Sequence, residues 1–173
     1  MTGEPIRTTE QLEQLLSEPT AAVVETMRCL RGDILFLGVG GKMGPSLAFM
    51  AKRGSIAAQV DRRVIGVSRF GNRSLEEQLQ ARGIETIRCD LMDEAQITGL
   101  PDAANVVFMA GVKFGTATDQ SRSWAVNSYL PGLISKKYRN SRLIVFSTGN
   151  VYGLTRVDLG GSREEDVLHP VGE

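Results

Sequence analysis

Asp33-Ile34-Leu35-Phe36-Leu37-Gly38-Val39-Gly40-Gly41-Lys42-Met43-Gly44-Pro45 runs an apolar strand directly into glycines that open a helix. Gly38 permits a tight turn that other residues resist, Gly41 lets backbone approach a phosphate with no side chain between, and Gly44 allows helix to pack closely on strand. Gly40 is an additional glycine inside the same turn. Pro45 suits a first helical turn, where its missing N–H has no partner to lose. The amides from Gly38 through Lys42 and Met43 to Gly44, added to the helix dipole, then make an anion site. A glycine-rich turn alone is weak evidence, but here the context is complete. A strand precedes it, Leu47, Met50 and Ala51 follow at helical spacing, and Val64-Ile65-Gly66-Val67 forms a second strand. This βαβ frame suits the diphosphate of a dinucleotide. A Walker-type loop is excluded, because Lys42 lies inside the glycine run and is not followed by Ser or Thr.

Outward from this stretch, apolar runs alternate with helical patterns, which predicts an α/β fold with a parallel sheet covered on both faces. Strands are expected at 33–38, 64–68, 85–89, 105–110 and 142–147, and helices near 44–53, 74–82, 93–98 and 118–139. Pro131-Gly132 should interrupt or kink the last helix. Right-handed crossovers give a Rossmann-type doubly wound sheet of order 3-2-1-4-5. Residues 1–32 read as a helical extension: Thr8 and Gln11 fit a capping box before Leu12, Leu15 and Leu16, and Thr20 caps a helix with Val23, Met27 and Leu30 on one face, ended by Gly32. This hairpin should pack on the domain of residues 33–173 or on a second subunit.

Composition narrows the classes. With 173 residues the chain is long enough for one well-buried core, and its 20 basic and 20 acidic residues create no global field for nucleic acid or an anionic membrane. No apolar run approaches the roughly 18 residues needed to cross a bilayer, and the polar start has no signal-peptide character, so the chain reads as cytoplasmic. Cys29 and Cys89 lack metal-ligand spacing and are expected to be buried, reduced thiols. With His169 the single histidine, no metal site is expected.

Ligands in such sheets bind beyond the carboxyl ends of the strands. The second strand ends in Ser68-Arg69, where an acidic residue would grip the ribose of NAD; a hydroxyl and a positive charge, with Arg73 nearby, favour NADP over NAD. Solvated loop charges are the plainer reading of both arginines. Asp90 can accept from an adenine amino group, while Asp93 reads as a helix cap. Ala110 and Gly111 let a flat cofactor pass close to backbone, and Lys113 either reaches a phosphate or stays solvated.

The fifth strand runs into Ser147-Thr148-Gly149-Asn150-Val151-Tyr152-Gly153. With the glycine turn, this segment resembles the extended short-chain dehydrogenase/reductase family, the NAD(P)-dependent epimerases and dehydratases. The likeness covers roughly residues 33–173. It implies a dinucleotide cofactor and hydride transfer on a hydroxylated small molecule such as a nucleotide sugar. Asp90-Leu91 matches the adenine-contact pair, Trp124 through Asn127 the family's Asn-bearing helix, and Thr148 the catalytic Ser/Thr that bonds the substrate oxygen. It also implies a homodimer through the helix carrying Trp124. The family's tyrosine and lysine pair is expected at or beyond Glu173, so the chain reads as the front of a longer enzyme that binds cofactor without turnover. A non-catalytic NAD(P)-binding sensor or interaction module is the alternative.

Overall fold

A computed structural model of the chain describes residues 5–112 and 119–170. Five parallel strands, β1 (Ile34–Leu37), β2 (Val64–Ser68), β3 (Glu85–Arg88), β4 (Asn105–Phe108) and β5 (Arg142–Val145), form one sheet in the order β3-β2-β1-β4-β5. Each strand is a residue or two shorter than the apolar pattern suggests, except β2, because the flanking residues turn away at the strand ends. Continuous apolar runs are what a sheet covered on both faces requires, since alternate residues face opposite cores. In β1, Leu35 and Leu37 enter one core with Ile65, Val67, Val106 and Phe108; Ile34, Phe36 and Val64 enter the other with Phe49, Leu79 and Ile84. Each such fully buried side chain contributes roughly 1.5–3 kcal/mol.

The first core is covered by α5 (Glu94–Gly99) and by a long helix after residue 119; the second by α3 (Gly44–Ala57) and α4 (Arg73–Ala81). The long helix does not break at Pro131. It comprises α6 (Gln120–Trp124), a π-helical turn over Ala125–Tyr129, and α7 (Leu130–Lys137). Pro131 sits in the first turn of α7, where a missing N–H is tolerated, and the irregularity falls in the wider turn before it.

Two short helices precede the sheet, α1 (Thr9–Leu16) and α2 (Ala21–Cys29). Thr8 caps α1 by accepting from the Gln11 amide at 3.2 Å, and Thr20 caps α2 through the Val23 amide at 3.3 Å. The hairpin packs on the same chain. Gly54 of α3 lets Met27, Val23 and Pro19 approach, Arg53 donates to Gln14 O and Ser17 Oγ (both 3.0 Å), and buried Arg62 donates to the Met27 and Leu30 carbonyls (both 2.6 Å). Leu30 ends α2, ahead of Gly32, whose φ of +77° carries the chain into β1. Cys29 is exposed, contrary to expectation. Val23 and Met27 occupy the face that meets α3, which leaves the Cys29 thiol beside Glu25 on the outside; Cys89 is buried, and both thiols are free. Leu12, Leu15 and Leu16 are also exposed, since α1 buries no residue.

Asp33, at the foot of β1, accepts from the Arg63 amide at 2.9 Å and from its Nε at 2.7 Å. Burial alone would raise the Asp33 pKa, but these donors and the Arg63 charge outweigh it and hold the carboxyl below its ordinary value. Such a carboxylate stabilises the fold fully above about pH 4, and that contribution is lost as pH falls through the folded pKa. Asp33→Asn is therefore expected to cost about 1 kcal/mol at pH 7 and progressively less under acid. Urea denaturation at pH 3 and pH 7 checks this; an equal loss at both would contradict it.

Candidate functional site

The sheet register brings all five strands to a common end. Leu37 pairs with Val67 and with Phe108, Ser68 with Arg88, and Phe108 with Val145, so the candidate residues all leave the same carboxyl edge. At the centre lies the glycine turn. Gly38 has φ +91°, and the Gly38 and Val39 amides both donate to Val67 O, at 2.9 and 3.1 Å. The Gly41 amide closes the turn on Gly38 O at 3.2 Å.

Close approaches explain the glycines. A Cβ on Gly38 would lie 2.7 Å from Ala110 N, one on Gly40 would overlap the Ser68 hydroxyl, and one on Gly44 would lie 2.6 Å from the Val39 carbonyl carbon. Gly41 differs: its nearest neighbour would be Gly38 O at 3.5 Å, so no contact among the described residues requires its bareness. Gly66, in β2, has a further role, because a Cβ there would lie 2.9 Å from Val39 Cγ1. An isolated glycine within a strand run is the sequence signal for that contact.

Two features leave the turn open to an anion. Met43, at the N-terminus of α3, gives no side-chain cap, and the amides of Gly40, Lys42 and Met43 have no partner among the described residues. Unpaired amides at a 14-residue helix N-terminus carry partial positive charge toward whatever lies in front of them.

On one side stand the exits of β2 and β3. Ser68 is half-buried and accepts weakly from the Phe70 amide at 3.4 Å. Arg69 is exposed with no ion pair among the described residues, whereas Arg73 is paired with Glu77 at 3.3 Å. Asp90 uses Oδ1 to accept from the Met92 amide at 3.0 Å, and Leu91 turns into the core. Asp93 caps α5, accepting from the Ala95 and Gln96 amides at 2.9 and 3.2 Å; bonds from Gln96 hold its carboxyl below the usual range. Burial pushes the neighbouring Cys89 thiol up.

On the other side are β4 and β5. Ala110 abuts Gly38, and Gly111 is exposed beside Asn127, whose amide bonds to the Val112 backbone. Lys113 lies outside the described residues. Beyond β5, Thr148 caps a short 3-10 turn (Gly149–Tyr152), with its Oγ1 accepting from the Asn150 amide at 3.2 Å. Ser147, Thr148, Val151 and Tyr152 line an open depression of about 490 Å³ together with Glu164, Asp166 and Leu168. The segment that follows passes close to the turn: His169 O lies 2.7 Å from where a Cβ on Gly153 would stand, and Gly153 has φ +74°. Among the described residues no group of three His, Cys, Asp or Glu could hold a metal ion, and no helix is long and apolar enough to cross a membrane.

No protein-family model matches the chain, and no curated protein sequence does. Solved structures do match. An ADP-L-glycero-D-manno-heptose-6-epimerase from Helicobacter pylori superposes with a TM-score of 0.67 at 18% identity, over 84% of this chain and 47% of the epimerase. A UDP-glucuronic acid 4-epimerase from Bacillus cereus, solved with NAD, gives 0.61 at 21% identity, over 80% and 46%. The Bordetella bronchiseptica enzyme WbmG, solved with NAD and UDP, gives 0.60 at 18% identity, over 82% and 45%. These likenesses establish a shared Rossmann-like fold, and the chain spans about half the length of each of these proteins.

Proposed function

We propose that this chain is the dinucleotide-binding part of an NAD(P)-dependent epimerase, dehydratase or reductase of the extended short-chain dehydrogenase/reductase type. The observation that carries the reading is the glycine turn: three amides at the start of α3, without a partner among the described residues, at the carboxyl edge of the central strand. The structural neighbours add support, since two of these proteins were solved with NAD. The diphosphate is assigned to Gly38, Gly40, Gly41, Lys42, Met43 and Gly44, the ribose end to Ser68 and Arg69, the adenine to Asp90 and Leu91, and the path of the nicotinamide half to Ala110, Gly111 and Asn127.

NADP is favoured over NAD because β2 ends without a carboxylate and Arg69 is available for a 2′-phosphate. When bound, the nicotinamide gives or takes a hydride. Thr148 would hold the substrate oxygen. Its Oγ1 already accepts from Asn150, so its own proton is left to donate to a substrate hydroxyl or carbonyl and stabilise charge there. The substrate proposed is a hydroxylated small molecule such as a nucleotide sugar, and exposed Trp124 and Tyr129 belong to the helix assigned to a homodimer contact. No Tyr with Lys four positions later follows Thr148 within these 173 residues, so the chain by itself is proposed to bind cofactor without turnover.

Titration with NADPH and NADH, followed by nicotinamide fluorescence, tests the assignment. Saturable binding with NADPH the tighter ligand is expected. Absence of binding by either at millimolar concentration would overturn it.

A further inference from the structure

Among the described residues other than glycine, two have φ in the left-handed region: Gln59 at +57° and Phe70 at +46°. Gln59 is exposed and directly follows the C-cap of α3, where helices commonly end this way. Phe70 closes no helix. It stands between β2 and α4, and a bulky residue at positive φ persists only where its surroundings force it. Burial supplies the force here. The ring is 4% exposed and belongs to the core beneath α3 and α4, the same cluster as Val39 of the glycine turn.

Consecutive residues part company at this strand exit: Arg69 faces solvent and Phe70 faces the core. The Phe70 N–H meets Ser68 Oγ at 3.4 Å, and that hydroxyl overlaps the place a Cβ on Gly40 would take. Ser68, Phe70 and the glycine turn are therefore packed as one unit. Two residues on, Asn72 accepts from the Ser74 amide at 3.0 Å and caps α4, which fixes the far end of the loop. Charge adds a separate observation. Beside the loop lies an open depression of about 470 Å³ whose lining includes Phe70, Gly71, Arg73 and Arg88. Arg73 is neutralised by Glu77 at 3.3 Å and Arg88 by Glu76, so Arg69 is the uncompensated arginine at this exit among the described residues.

We infer that Phe70 is a positioning residue for cofactor choice: its buried ring locks the β2 exit in a left-handed turn and so holds Ser68 and Arg69 where a ribose 2′-phosphate is read. This rests on the dinucleotide reading above and makes the NADPH preference a property of the turn as well as of the Arg69 charge. Sealed in the core, Phe70 acts through the backbone of its neighbours. Glycine or asparagine would take a φ of +46° more easily, yet neither brings a ring to anchor the turn.

Two variants test it. Phe70→Asn accepts the left-handed backbone but gives up the ring, whereas Phe70→Leu keeps an apolar anchor. Each is titrated with NADPH and NADH, and urea denaturation reports the fold. In Phe70→Asn, NADPH affinity is expected to fall about tenfold while NADH stays within about threefold; in Phe70→Leu the preference should hold within about twofold. Equal losses of both cofactors in a folded Phe70→Asn, or an unchanged preference, would overturn the inference, because a merely structural ring does not tell the two cofactors apart. The wild-type chain supplies a test that no folding defect can cloud. Adenosine 2′,5′-bisphosphate should shift the Arg69 and Phe70 amides in NMR spectra, and AMP, which lacks the 2′-phosphate, should shift them far less; equal shifts would also overturn it. A wild-type chain that binds NADPH no tighter than NADH removes the reading beneath the inference, and the inference with it. One that prefers NADPH, with the preference kept in Phe70→Asn, overturns the inference alone.

Discussion

Gly44→Ala is expected to lose about 3 kcal/mol of folding stability and, with it, dinucleotide binding. Two effects compete at this position. Alanine is the better helix former by about 1 kcal/mol, which taken alone would stabilise α3. Against that, the new Cβ would lie 2.6 Å from the Val39 carbonyl carbon and 2.7 Å from its Cα, backbone atoms that cannot rotate aside. Overpacking wins, so α3 must back away from the glycine turn and carry the Lys42 and Met43 amides with it. Urea denaturation and an NADPH titration of the same sample measure both losses. A variant as stable as the parent would mean the helix does not press on the turn.

Arg69→Glu is expected to weaken NADPH by about thirtyfold and to leave NADH within about threefold, the size of one charge-assisted bond to a phosphate. The side chain is exposed and has no ion pair among the described residues, so the substitution strands no partner and leaves the fold alone. The discrimination should shrink as salt rises, because an exposed charge pair is screened. Equal losses for both cofactors would show that Arg69 does not read the 2′-phosphate.

The sheet was legible in the sequence because its inner strands are buried on both faces: Ile34–Leu37 and Val64–Val67 admit no polar residue, and a glycine turn between strand and helix orders the neighbours. Caps were legible for the same local reason, since Thr8, Thr20 and Asp93 bond to amides two or three residues away. Contacts made at a distance were not. Nothing in Ala125–Tyr129 encodes a π turn, because the partner that rewards it, Val112, lies 15 residues away from Asn127. The outward placement of Cys29 depends on which face of α2 meets Gly54, a matter of tertiary packing that helical periodicity leaves open. The unpaired amides of the glycine turn could be anticipated, but the jam of Ala110 against Gly38 needed the register of β1 on β4.

The π turn holds one more residue than an α-helical turn of the same height. Deleting one position between 125 and 129 would restore the regular repeat, and because the turn still closes one circle the two halves of the rod would stay in phase. Leu130 and Ile134 would then remain sealed in the core, and the loss would fall on Asn127, whose place in the wider turn lets its amide reach Val112 beyond β4. Shortening the rod by one residue at this spot is therefore expected to spare its buried far end and to give up its handhold.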